Sequence, residues 1–174
     1  GPVAGDIAAA VQRSGGAMSA DDLAAHRSTW DEPISVGYRG VRVWECPPNG
    51  QGLAALIALG ILDGLDLAAL PALSADRWHL VVEAVRLAFA DAIAFVADPS
   101  ASAVPVAGLL AAEYLATRRA LIDGDRALPR VEPGTPHGPG TRPPAGGTDT
   151  VYFCAVDGRG NACSFINSNY MGFG

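Results

Sequence analysis

The stretch Gly146-Gly147-Thr148-Asp149-Thr150-Val151-Tyr152-Phe153 joins a Pro- and Gly-rich segment to residues of strand composition. A threonine hydroxyl at such a junction is a poor nucleophile unless a base lies close. If the chain is cut just before it, its own freed α-amine becomes that base, and no histidine or carboxylate partner is needed. An α-amine has an unperturbed pKa of about 7.7–8.0, so a useful fraction is neutral near physiological pH. The same hydroxyl can make the cut by attacking the preceding carbonyl, and Gly146-Gly147 permits the strained backbone approach this requires. Thr150 is therefore the candidate nucleophile, and Asp149–Thr150 the candidate cleavage site. Thr148 is the competing hydroxyl, and an ordinary strand threonine after a Gly-rich connection is the structural alternative. No Ser-His-Asp signature is present, and the one nearby histidine, His137, falls inside the Pro/Gly segment.

The elements that must position this junction follow from periodicity and punctuation. Residues 3–13 read as a helix stopped by Gly15-Gly16. Ser19-Ala20-Asp21-Asp22 is a capping-box start for a short helix at Leu23. Residues 34–38 and 41–44 have strand composition and a Tyr38-Arg39-Gly40 turn, which predicts a hairpin. Residues 53–62 form an all-apolar, deeply buried helix ended by Asp63-Gly64. Ser74 caps the longest helix, over 75–97. Along it Trp78, Val81, Val82, Val85, Ala88, Phe89 and Ile93 recur at helical spacing. Asp76, Arg77, Glu83, Arg86 and Asp91 mostly mark its other side, and Glu83, Arg86 and Asp91 are read as a solvated or ion-paired face. A further helix is expected over 109–122. From Pro129 to Gly147 no apolar periodicity remains, so this segment should be mobile and protease-sensitive. Residues 150–156 and 162–166 then read as a second hairpin around the turn 157–161.

Composition bounds the rest. The chain has 174 residues, a net charge of −6 and 49% hydrophobic residues, enough to bury a core. The acidic balance argues against nucleic acid and anionic membranes as partners. No apolar run is a convincing membrane span, which needs about 20 residues. Cys46, Cys154 and Cys163 form neither a disulfide framework nor a zinc spacing, and are expected as small apolar residues. No metal site and no cofactor are implied.

In this order and spacing, several short pieces carry a resemblance. They are Gly15-Gly16-Ala17-Met18-Ser19-Ala20-Asp21-Asp22-Leu23, Pro47-Pro48-Asn49-Gly50-Gln51-Gly52, and Glu83-Ala84-Val85-Arg86-Leu87-Ala88-Phe89-Ala90-Asp91 with Asp98-Pro99. Beyond the Pro/Gly linker they continue as Asp149-Thr150-Val151-Tyr152, Val156-Asp157, Gly160-Asn161-Ala162 and Phe173-Gly174. Through almost its whole length the chain resembles γ-glutamyltranspeptidases, a family of N-terminal-nucleophile hydrolases.

The resemblance implies an α+β fold, part of a four-layer αββα sandwich. It implies a precursor that cuts itself into large and small subunits, which then act as partners on a small-molecule γ-glutamyl substrate. The new N-terminal threonine takes the γ-glutamyl group and passes it to water or an amino acid. Residues 1–128 would then be the mainly helical end of the large subunit. Residues 129–149 would be the linker ending at the cut, and 150–174 the start of the small subunit. Counting back from Gly160-Asn161 favours Thr150 over Thr148. The same spacing makes Ser168 the hydroxyl that hydrogen-bonds the nucleophile, with Asn167 and Asn169 as substrate contacts. The family's usual histidine at the cut is absent, which leaves a related amide acylase and an uncleaved, non-catalytic homologue as alternatives.

Overall fold

The computed structural model describes residues 1–138 and 151–167 and divides into two units, 1–32 and 33–174. In the first unit, helix α1 (Pro2–Arg13) ends at a left-handed glycine, Gly15, at φ 82°. The Gly15 N–H donates to the Gln12 carbonyl and the Gly16 N–H to the Val11 carbonyl, which satisfies two carbonyls the helix leaves open. Helix α2 (Ala20–Ala25) opens on the expected capping box. Ser19 Oγ accepts from the Asp22 N–H, and the Asp22 carboxylate accepts from the Ser19 N–H at 2.7 Å.

The second unit begins with antiparallel strands β1 (Ile34–Tyr38) and β2 (Val41–Glu45), paired so that Tyr38 faces Val41. Both turn residues have positive φ, Arg39 at 49° and Gly40 at 82°, which matches the right-handed twist of a two-residue hairpin. The Arg39 N–H donates to Asp63 Oδ1 at 2.6 Å, tying this turn to the end of helix α3 (Gly52–Asp63). Leu53, Leu56, Ile57 and Ile61 of α3 are fully buried, as the all-apolar sequence of that helix requires. Around them pack Leu87 and Ala88 of helix α4 (Ala75–Phe95), Leu109 of helix α5 (Val106–Leu109), and Tyr114 and Leu115 of helix α6 (Ala112–Arg119). The last described element is a hairpin of β3 (Val151–Val156) and β4 (Ala162–Asn167). Its loop is held by Asp157, whose carboxylate accepts from the Arg159 and Asn161 N–H groups and from the Asn161 side-chain amide. Among the described residues no helix is long and apolar enough to cross a membrane.

Four expectations need correction. The single helix over 109–122 is two shorter ones, α5 and α6, separated where Ala111 turns extended at ψ 136°. Cys46 and Cys163, expected as small apolar residues, are free and exposed. On α4 the expected faces hold only in part: Ala88 is buried, but Trp78 is 54% exposed, Val82 50% and Phe89 41%, whereas Glu83 and Asp91 lie in the interior beside Ala84 and Leu87. Glu83 and Asp91 are ion-paired, as expected, but not solvated: Arg86 of the same helix pairs with Glu83 and Arg118 of α6 with Asp91, and residues 128–134 bring backbone partners, while Asp76 remains exposed. Finally, the linker is tied down in its first part, up to His137.

If α3 is the centre of the core, deleting its buried bulk is costly while an exposed loop position is tolerant. Ile57→Ala should lower stability by about 2–5 kcal/mol, and Leu73→Ala, at an exposed site, by no more than about 0.5 kcal/mol, read by chemical denaturation.

Candidate functional site

Glu83, Leu87 and Asp91 recur every four residues, so one stripe of α4 carries two carboxylates flanking a leucine. A carboxylate in the interior must be paired or hydrogen-bonded. Both find their partners in the segment 128–134, more than forty positions further along the chain. Glu83 Oε2 accepts the Leu128 N–H at 3.0 Å. Arg86 pairs with Glu83 and donates from Nη2 to the Leu128 carbonyl at 2.8 Å, so both backbone groups of Leu128 are held. Asp91 Oδ1 accepts the Gly134 N–H at 2.8 Å.

Arg118 of α6 completes the arrangement. Its Nε lies 3.0 Å from Asp91 Oδ2 as an ion pair, although the angle is not that of a hydrogen bond. Its Nη2 donates to the Glu132 carbonyl at 2.9 Å and to the Leu87 carbonyl at 3.3 Å. Glu83, Asp91 and Arg118 are each less than 5% exposed, so water cannot substitute for these bonds. Leu128 and Val131 add apolar contact with the core.

Two glycines let the backbone come this close. A Cβ on Gly134 would lie 2.3 Å from the Tyr114 hydroxyl oxygen, and one on Gly108 only 1.9 Å from the His137 carbonyl oxygen. The Tyr114 hydroxyl is buried beside Asp91 and makes no hydrogen bond among the described residues. Burial and the neighbouring Asp91 charge push its pKa well above the ordinary phenol range.

The two carboxylates titrate in opposite directions. Burial pushes Glu83 upward, but the Leu128 N–H and Arg86 outweigh it and the pKa ends lowered. For Asp91 burial prevails over Gly134 and Arg118, and the pKa ends raised. A lowered pKa contributes stability that is present above the unfolded value, about 4.3 for Glu, and is lost as pH falls through the folded value. A raised one has the reverse sign. Glu83→Gln should therefore cost about 1–3 kcal/mol near neutral pH, and the gap to wild type should close as pH drops below about 4, in thermal melts across pH.

Thr148, Asp149, Thr150, Ser168 and Asn169 lie outside the described residues. Asn167 is the last residue of β4, where it pairs with Val151, the first of β3. Arg118, Tyr114, Gly108 and Gly134 were not singled out from sequence. The signal that could have found them is the pair of acids on the Ala84-Leu87-Ala88 stripe of α4, which demands a buried cation and buried donors from elsewhere.

The comparisons with known proteins agree with one another. The family model for gamma-glutamyltranspeptidase matches residues 1–174. The glutathione hydrolase-like YwrD proenzyme of Bacillus subtilis is 37% identical over 174 residues, covering 100% of this chain and 31% of that protein. The glutathione hydrolase proenzyme of Escherichia coli is 31% identical over 175 residues, covering 100% of the chain and 30% of the relative. Among solved structures, the cephalosporin acylase from Bacillus halodurans superposes with a TM-score of 0.77 at 45% identity, over 100% of this chain and 29% of that one. The chain thus spans about a third of the length of the curated relatives it matches. With mixed helices and strands in the arrangement of these hydrolases, and a family match over every residue, the chain belongs to the γ-glutamyltranspeptidase family.

Proposed function

We propose that this chain is part of a self-processing γ-glutamyltransferase or glutathione hydrolase precursor in which Thr150 is the nucleophile. The observation that carries the reading is the family match across the Asp149–Thr150 junction, together with relatives named as proenzymes. The register of the second hairpin supports it. Val151, which follows Thr150 in sequence, pairs with Asn167, which precedes Ser168.

In maturation, Thr150 Oγ attacks the Asp149 carbonyl carbon. The C–N bond breaks as the C–O ester bond forms, and the hydroxyl proton passes to the departing nitrogen. Water then hydrolyses the ester, giving the Asp149 carboxylate and a free Thr150 hydroxyl and α-amine. In turnover the α-amine takes the hydroxyl proton as Oγ attacks the γ-glutamyl amide, and returns it to the leaving amine. The γ-glutamyl ester is released to water or to an acceptor amine. Asn167 and Asn169 are the proposed substrate contacts. Residues 1–149 belong to the large subunit and those from Thr150 onward to the small one, within an αββα sandwich.

A second reading, a related amide acylase, is favoured by the cephalosporin acylase, the more similar of the relatives above at 45% identity. Mature enzyme tested on a panel of γ-glutamyl and β-lactam side-chain amides separates the two.

Thr150→Ala in the full-length precursor should abolish self-cleavage, read by intact mass and by the N-terminal residue of the small fragment. Persistent cleavage would reject Thr150 and make Thr148→Ala the next test. The 174-residue chain alone should not turn over γ-glutamyl-p-nitroanilide at rates usual for this family. It spans about 30% of its relatives and leaves Trp78, Val82 and Phe89 of α4 uncovered.

A further inference from the structure

We propose that the outer face of α4 is an interface covered by a further part of the same polypeptide, and not by a second copy or a separate protein. The inference requires only that the chain belongs to a longer protein, as its relatives do, and holds whichever threonine is the nucleophile. Trp78, Val82, Val85, Phe89 and Ile93 are exposed, and from Trp78 to Phe95 every exposed residue of the helix is apolar. At 3.6 residues per turn these five fall within an arc of about 80°, and the row from Trp78 to Ile93 is about 22 Å long. Buried Glu83, Leu87, Asp91 and Ala94 occupy the opposite side. A helix that meets water on one side carries polar side chains there. Beyond its first turn α4 does the reverse. Its two acids point inward, to Arg118 and to residues 128–134, and valines, an isoleucine and aromatics point outward.

Size decides between the possible occupants. Two aromatic residues of about 150–250 Å² each and three aliphatic ones, exposed by 37% to 54%, present on the order of 400 Å². A stable association between separate chains takes about 800 Å² from each partner. The row supplies half of that, and separate chains also lose translational and rotational freedom on meeting. A segment of the same polypeptide is spared that loss, because its connection to α4 makes the contact intramolecular. The relatives supply enough chain, since this span covers only 31% and 30% of them. Exposed Asp76 and Asp98 lie just beyond the two ends of the row. The matching face is therefore apolar along its length and polar only past those ends.

Hydroxyl-radical footprinting of the intact full-length protein tests this without any substitution. It is run at a concentration where light scattering shows a monomer. The oxidation rate of each side chain, from peptide mass spectrometry, is divided by that of the same residue in the digested protein. Covering takes Trp78 from 54% exposed to the less than about 5% of a fully buried residue, so its relative rate should be roughly tenfold below that of an uncovered α4. Phe89 should be protected in parallel. Trp78 and Phe89 reacting at about half the rate of the digest in the monomer would overturn the proposal, since that is the rate their present exposure gives. Protection that appears only in a dimer, or only when another protein is added, also overturns it and assigns the face to a separate chain. The readout involves no self-cleavage, so Thr150→Ala protein should show the same protection, and a failure of the nucleophile reading leaves this result standing.

Discussion

An ionised carboxylate at the centre of a helical core has to be answered by opposite charge or by hydrogen-bond donors, and Asp91 is answered by both. Arg118 supplies the charge and Gly134 the donor. Because the side chain is fully buried, neither can be replaced by water without opening the core. That requirement dictates much of the surroundings. It brings α6 against α4, brings the chain after residue 128 back across both helices, and forbids a side chain at position 134. Glu83 repeats the pattern two turns earlier with Arg86 and Leu128. The apolar core around Ile57, Ile61, Leu87 and Leu109 supplies the burial that gives these polar bonds their weight.

Much of the scaffold was legible in the amino-acid order because its signals are local. Ser19 and Asp22 close a capping box within three residues, Ser74 caps α4 through the Arg77 N–H, and Gly40 permits the first hairpin turn. The all-apolar α3 could only be a core helix. The face of α4 was not legible, because that helix is apolar on two sides. Trp78, Val82 and Phe89 look like core residues by type, and Glu83 and Asp91 look like surface. What reverses them is Arg118 and the 128–134 backbone, and no window along α4 contains either. The linker misled for the same reason. Its Pro and Gly residues exclude helix and strand, yet its N–H and C=O groups are free to satisfy buried charges, and glycines allow the close approach.

The candidate site divides along the same line. Thr150, Ser168 and Asn169 rest on matching a family pattern at named positions. The buried cluster rests on distances between residues of α4, α6 and the segment that follows them. The second hairpin is described by its Asp157 loop and by the Val151–Asn167 pair at its open end. Resemblance thus named the chemistry, whereas tertiary contact supplied the element preceding it.

The bonds that seat the linker span 45 positions between Glu83 and Leu128 and 43 between Asp91 and Gly134. Contacts of that separation close large loops and form only after local helices exist and have met. A chain whose α4 and α6 have packed wrongly has no place to receive residues 128–134. Seating of residues 128–134 therefore requires that α4 and α6 have already met, although other contacts of this core, such as Arg119 with the Ile61 carbonyl, span still more of the chain.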